Sequence, residues 1–233
     1  MTTNHDSVSR YQQLLAAIAA AARKAGRDPA GVRLVGAAKT VPVERLRPVV
    51  AAGLAIVGEN YLQEAKAKLA ALDLPVSWHF IGHLQSNKAA AAVQLFDLIH
   101  SVDRLSLAQA LERAAARLGK VQDILLEVNI AGEASKSGVA PAALEDLLRA
   151  CAALSHLRVR GLMTMPPWSP DAEQVRPYFR QLREARDRLQ ALNLPGVELV
   201  ELSMGMSDDF AVAIEEGATL VRIGTALFGP RTH

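Results

Sequence analysis

The run Val32-Arg33-Leu34-Val35-Gly36-Ala37-Ala38-Lys39, followed at once by Thr40-Val41-Pro42, is the stretch on which the fold turns. It is an apolar, strand-like segment that ends in a single lysine. On period-two alternation Lys39 shares a face with Ala37 and Val35, where small inward side chains leave room for an amine. Two readings stand at this point: the lysine snorkels to water from a strand end, or it carries chemistry.

Upstream, residues 7–25 have the pattern of an alanine-rich amphipathic helix, with Asp6 or Ser7 to cap it and Gly26 to end it. Downstream, Pro42 fits the first turn of a helix running to residue 52, and Gly53 closes it before a second apolar run at 55–60. Similar runs with polar ends follow at 77–82, 98–103, 123–130, 159–165, 197–203 and 219–228. Helical segments at 61–71, 86–93, 104–118, 141–153, 171–192 and 208–215 separate them.

Eight strands alternating with helices give the rhythm of a parallel (β/α)8 barrel of α/β class. A doubly wound open sheet is the alternative, but Lys39-Thr40-Val41-Pro42 stands where its glycine-rich fingerprint would follow the first strand. With few residues after the eighth strand, the N-terminal helix is expected to cover the place of an eighth outer helix. No Pro, Gly or Ser run divides the chain, so residues 1–233 read as one domain.

Composition narrows the partners. The 26 basic and 24 acidic residues nearly balance, and aromatics are 4%, which argues against a nucleic-acid binder. Cys151 is the single cysteine and sits among alanines and leucines, which favours a reducing compartment. No apolar stretch approaches the roughly 18 residues needed to span a bilayer, and Asp6 and Arg23-Lys24 flank the alanine-rich helix unlike a leader peptide. The expected location is the cytoplasm.

In such barrels ligands meet the carboxyl ends of the strands, and the loops after the seventh and eighth strands often hold a phosphate. That rule selects Lys39, Asn60, Ser203-Met204-Gly205-Met206-Ser207 and Gly224-Thr225. The 203–207 segment joins a strand to a helix, so its N–H groups and hydroxyls are placed to meet an anion, with Gly205 allowing close approach. The competing reading is that Ser207 only caps the helix, whose dipole Asp208 and Asp209 already satisfy.

Arg222 lies on the inward face of the last strand and needs an acceptor. Either a carboxylate such as Glu201 or Glu127 or a ligand's ring nitrogen supplies it. His79 and His83 are spaced for a helix face but fall on a strand and its exit, with no Cys or carboxylate cluster beside them, so no metal is expected. Lys136 reads as an exposed loop lysine. The charges Arg180, Arg183, Glu184, Arg186, Asp187 and Arg188 read as the solvated face of a helix.

A lysine and a phosphate cradle on one rim point to a phosphorylated carbonyl compound held as an imine, for which the lysine must present its neutral amine. Two ligand classes fit: pyridoxal phosphate, whose ring would also engage Arg222, and a phosphorylated sugar in a Schiff-base aldolase.

Several segments, in this order, resemble the pyridoxal-phosphate homeostasis protein family, also called the YggS or PROSC family. They are Ala38-Lys39-Thr40, Gly58-Glu59-Asn60, Trp78-His79-Phe80-Ile81-Gly82-His83-Leu84-Gln85-Ser86-Asn87-Lys88, Ser135-Lys136-Ser137-Gly138, Gly161-Leu162-Met163, Leu202 through Ser207, and Val221-Arg222-Ile223-Gly224-Thr225. The resemblance spans about residues 32–229 and implies a barrel of the alanine-racemase N-terminal-domain type. It implies that Lys39 forms the imine with pyridoxal 5'-phosphate and that Ser203, Met204, Gly205, Met206, Gly224 and Thr225 hold the phosphate. Arg222 would face the pyridine nitrogen, with Asn60 and Met163 completing the site. Ala38 and Val41 depart from the serine and the basic residue common at those positions, which touches local contacts only.

The family's members are regarded as regulators of cofactor supply without an established turnover, and two features accord with that. Racemases of this barrel type carry a second domain and a further acid/base from a partner subunit, whereas few residues follow Phe228. An arginine at the pyridine nitrogen keeps it unprotonated and weakens the ring as an electron sink. The expectations are therefore a cytosolic, monomeric cofactor carrier that serves pyridoxal-phosphate-dependent apoenzymes. The alternatives are an amino-acid racemase, a Schiff-base aldolase, or a protein that docks on cofactor-requiring enzymes through the long charged helix.

Overall fold

A computed structural model of the chain describes residues 2–133 and 136–230. Strand β1 (Arg33–Ala37) pairs in parallel with β2 (Ile56–Glu59) on one side and with β8 (Leu220–Ile223) on the other. Between them β3 (Ser77–Phe80), β4 (Leu98–Val102), β5 (Gln122–Glu127), β6 (Leu157–Met163) and β7 (Val197–Ser203) follow in sequence order, so the sheet closes into a barrel. The parallel (β/α)8 expectation holds.

The helices are α1 (Thr2–Lys24), α2 (Val43–Ala51), α3 (Leu62–Ala71), α4 (Ala89–Leu95), α5 (Leu105–Arg117), α6 (Leu144–Ala152), α7 (Arg176–Gln190), α8 (Phe210–Glu215) and α9 (Thr225–Phe228). Helix α1 packs on α2, α8 and α9, which places it between the helices that follow β1 and β7. It fills the gap of an eighth outer helix, and Tyr11, Leu14, Ile18 and Ala22 form its buried stripe.

Several boundaries differ from the sequence reading. The eighth strand stops at Ile223, and residues 225–228 turn into α9 with Leu227 and Phe228 buried in the outer core. Pro42 precedes α2 as its N-cap and leaves the first helical position to Val43. Short 3-10 turns at Ser86–Lys88, Pro141–Ala143 and Ala172–Val175 take up the starts of three expected helices.

Strand alternation divides the core in two. Leu34, Val57, Phe80, Ile99, Leu162 and Val221 point outward and join the layer under the helices. Val35, Ile56, Leu98, Leu125, Met163 and Leu220 point inward and form a separate cluster inside the barrel. Each such side chain stabilises by roughly 1.5–3 kcal/mol on leaving water. Among the described residues no helix is long and apolar enough to cross a membrane.

Candidate functional site

A cavity of about 490 Å³ opens at the carboxyl ends of β1 and β8. Of the sequence candidates, Lys39, Asn60, Met206, Arg222, Gly224 and Thr225 line it. Ser207, the end of the selected 203–207 segment, lines it as well, together with Met165, Asp208 and Phe228, which the sequence reading did not assign to a ligand. Lys39 is half-buried, and the carboxylates nearest its turn, Glu59 and Glu64, pair with Lys68. A Cβ at Gly224 would stand 3.3 Å from the carbonyl oxygen of Ala37, so the end of β8 is kept bare where it meets the end of β1.

The turn that carries Lys39 is held from several directions. Ala38 donates its N–H to the carbonyl of Gly58 at 2.9 Å, and its own carbonyl accepts from the Val41 N–H at 2.9 Å and from Lys68 Nζ at 2.6 Å. The Thr40 N–H donates to Glu64 Oε2 at 2.8 Å, with Thr40 at a φ of 62°. The sequence reading missed Lys68 and Glu64, which lie on α3 and look there like ordinary helix charges.

Arg222 reaches into the barrel and finds neutral acceptors. Its Nη1 donates to Ser203 Oγ at 2.6 Å and its Nη2 to the carbonyl of Thr164 at 2.9 Å. Glu201, expected as a partner, is instead engaged by Arg33 and by the Thr219 hydroxyl. Burial pulls the Arg222 guanidinium down to about 10, with Glu127 and Asp209 acting in the other direction. Glu127 is itself pushed up to about 7 by burial and by Asp103, with Arg222 opposing.

The chain of hydrogen bonds runs on from Ser203 to His100 Nδ1 at 2.9 Å and from His100 Nε2 to His79 Nδ1 at 3.0 Å. Arginine has no acceptor atom, so Ser203 Oγ accepts from it, and among the described residues the acceptor within reach of the buried Ser203 hydroxyl proton is His100 Nδ1. His100 then donates from Nε2, and His79 keeps its proton on Nε2. This order is assigned from the donor pattern. It requires both rings neutral, and burial, reinforced by Arg33, does hold His79 down to about 4. His100 is lowered further by burial, His79 and Arg222.

The loop after β7 brings Met206 and Ser207 to the cavity wall. Ser203 is fully buried and committed to Arg222 and His100. Met204 is buried in the outer core, and its N–H goes to the carbonyl of Leu220. Gly205 lies close against α8: at a φ of 92°, a Cβ there would stand 2.6 Å from that of Ala213. The Met206 N–H donates to Asp209 Oδ1 at 2.6 Å, and the Ser207 hydroxyl accepts from the Ala226 N–H at 3.3 Å. Asp209, the N-cap residue of α8, is raised by burial, against the pull of the Met206 N–H and Arg222. Met163 belongs to the inward apolar cluster.

Other sequence candidates lie apart. His79 points into the barrel while His83 is exposed, 3.1 Å from the Ser137 hydroxyl, so the two do not converge. Lys136 is half-buried and pairs with Glu133 at 3.2 Å rather than standing free; Ser135 lies outside the described residues. Arg176, Arg180 and Arg183 of α7 converge on the buried carboxylate of Glu216, so that face of the helix is only partly solvated. Burial pushes the Cys151 thiol up to about 12, which leaves it inert.

The alanine racemase N-terminal domain family matches residues 10–232, which defines the class of barrel. The pyridoxal phosphate homeostasis protein of Aquifex aeolicus is 48% identical, over 98% of this chain and 100% of its own. That of Pseudomonas aeruginosa is 49% identical, over 100% of this chain and 98% of its own. PipY of Synechococcus elongatus, solved with PLP bound, superposes with a TM-score of 0.79 at 43% identity, over 85% of this chain and 93% of PipY. The chain belongs to the pyridoxal phosphate homeostasis protein family.

Proposed function

We propose that this chain binds pyridoxal 5'-phosphate in the rim cavity and acts in its cellular homeostasis, holding the cofactor reversibly on Lys39. The observation that carries the reading is that a half-buried primary amine just past the end of β1 and a buried guanidinium on the adjacent strand β8 meet in one cavity of about 490 Å³. The residues fit the group: an amine for its aldehyde, Arg222 for the pyridine nitrogen, and small Gly224, Thr225 and Ser207 for the phosphate end. Met206 and Asn60 flank it. Ser203 acts from beneath by fixing Arg222, and Met163 supports the floor.

When bound, the cofactor supplies an electrophilic aldehyde. The neutral Nζ of Lys39 adds to the aldehyde carbon, the carbonyl oxygen leaves as water with the two protons from nitrogen, and hydrolysis reverses the step. Arg222 donates and never accepts, so it favours an unprotonated ring nitrogen and a stored rather than a reacting cofactor. The reading extends to one barrel unit over residues 1–233 working as a monomer in the cytoplasm, and to pyridoxal-phosphate-dependent apoenzymes as recipients.

The test is the absorption spectrum with added cofactor. The band of a lysine imine is expected in the native chain and absent in Lys39→Ala; its persistence in that variant overturns the assignment. Steady racemisation of an amino acid or cleavage of a sugar phosphate, abolished in the same variant, would replace the storage reading with an enzymatic one.

A further inference from the structure

We propose that Lys68, with Glu59 and Glu64, is a positioning set that fixes the backbone on both sides of Lys39 and so aims its amine into the cavity. This rests on the cofactor reading above and adds residues that do not line the rim cavity.

The turn needs such a device. Strand β1 ends at Ala37, so the ladder no longer dictates where residue 39 points. Thr40 sits in the left-handed region at a φ of 62°, which a β-branched residue adopts only when its surroundings enforce it. The enforcing contact is the carboxylate of Glu64 on the Thr40 N–H at 2.8 Å. One residue before Lys39, the carbonyl of Ala38 is taken by Lys68 Nζ at 2.6 Å.

Lys68 is a tripod whose three protons go to three acceptors. Besides Ala38, they reach Glu59 Oε1 at 2.6 Å and Glu64 Oε2 at 3.4 Å. The Lys68 side chain is 9% exposed and that of Glu59 0%. Among the described residues Glu59 Oε2 has no hydrogen-bond partner, and burial raises the Glu59 carboxyl despite Lys68 beside it. A buried ion pair with an unsatisfied oxygen is a poor way to gain stability, since apolar residues of equal volume generally serve as well. What apolar residues cannot do is hold a carbonyl and, through Glu64, an amide on either flank of one lysine.

The experiment compares two probes on the full chain: pyridoxal 5'-phosphate, which forms an imine, and pyridoxine 5'-phosphate, whose alcohol cannot. In Lys68→Met the rate of imine formation is expected to fall roughly tenfold to hundredfold, the cost of a misplaced reacting atom. Affinity for pyridoxine 5'-phosphate stays at the native value. Lys68→Arg restores part of the rate. Glu64→Ala removes the Thr40 contact and the longer one to Lys68 from a partly exposed position, is expected to show the same split more weakly, and carries the test alone if Lys68→Met does not fold.

Native imine rates in the folded variants overturn the proposal, as does parallel loss of both ligands, which marks a merely structural role. The two readings fail separately. A persistent imine in Lys39→Ala removes the cofactor assignment, whereas loss of the imine in Lys39→Ala with native rates in Lys68→Met and Glu64→Ala removes only the positioning set.

Discussion

Inside the barrel, Val35, Leu98 and Leu125 contribute by leaving water, while His79, His100, Ser203 and Arg222 in the same closed sheet are held by a directed chain of hydrogen bonds. The apolar cluster constrains its members by volume and shape, so a neighbour of similar size is tolerated. The polar chain constrains them atom by atom. A donor-only guanidinium at one end dictates which nitrogen of each histidine holds its proton, and a partner removed anywhere orphans the next group. The barrel thus keeps a forgiving layer beside an exacting one, and the exacting one holds Arg222 against the cavity.

Substitutions in each layer sharpen that contrast. Leu125→Ala leaves a cavity in the apolar cluster and is expected to lower stability by about 2–5 kcal/mol in urea unfolding, with cofactor affinity of the folded fraction unchanged. Ser203→Ala is expected to cost less, about 1–3 kcal/mol, but to weaken pyridoxal 5'-phosphate binding, because Arg222 loses one of its two acceptors and His100 its donor. If both variants change stability and affinity in the same proportion, the distinction between the layers fails.

The pH dependence gives a third and smaller test. His79, lowered from 6.5 to about 4, binds its proton first in the unfolded chain, so it contributes stability present above pH 6.5 and lost as the pH falls through about 4. His100 has the same sign. Glu127, raised from 4.5 to about 7, has the opposite sign: its contribution is present below 4.5 and lost as the pH rises through about 7. Between about 4.5 and 6.5 the two oppose. Removing one of them in Glu127→Gln is expected to steepen the loss of stability on acidification by about 1.4 kcal/mol per pH unit. Urea midpoints across that range measure it, and an unchanged slope would show that Glu127 is ionised there.

The barrel was legible because each strand is an apolar run with a polar end; Lys39, Asn60, Gly224 and Thr225 followed from the rule that such ends bear the ligand, and Arg222 from the inward face of the last strand. The eighth strand was drawn too long because Ala226-Leu227-Phe228 is apolar without a period that separates strand from helix. Ser203 was selected as a strand end facing the ligand, but its depth below the rim depends on barrel stagger, which the sequence pattern does not encode. Lys68 was invisible because only the rotation of α3 against β2 distinguishes it from the exposed Lys66 on the same helix.

The position of α1 bears on how the molecule is made. Its buried stripe, Tyr11, Leu14, Ile18 and Ala22, is covered largely by α8 and α9, which follow it by nearly the whole barrel. On the ribosome α1 therefore waits for those later helices before its apolar side is sheltered, and a nascent chain that has not reached residue 210 carries that side open to chaperones or to another unfinished copy.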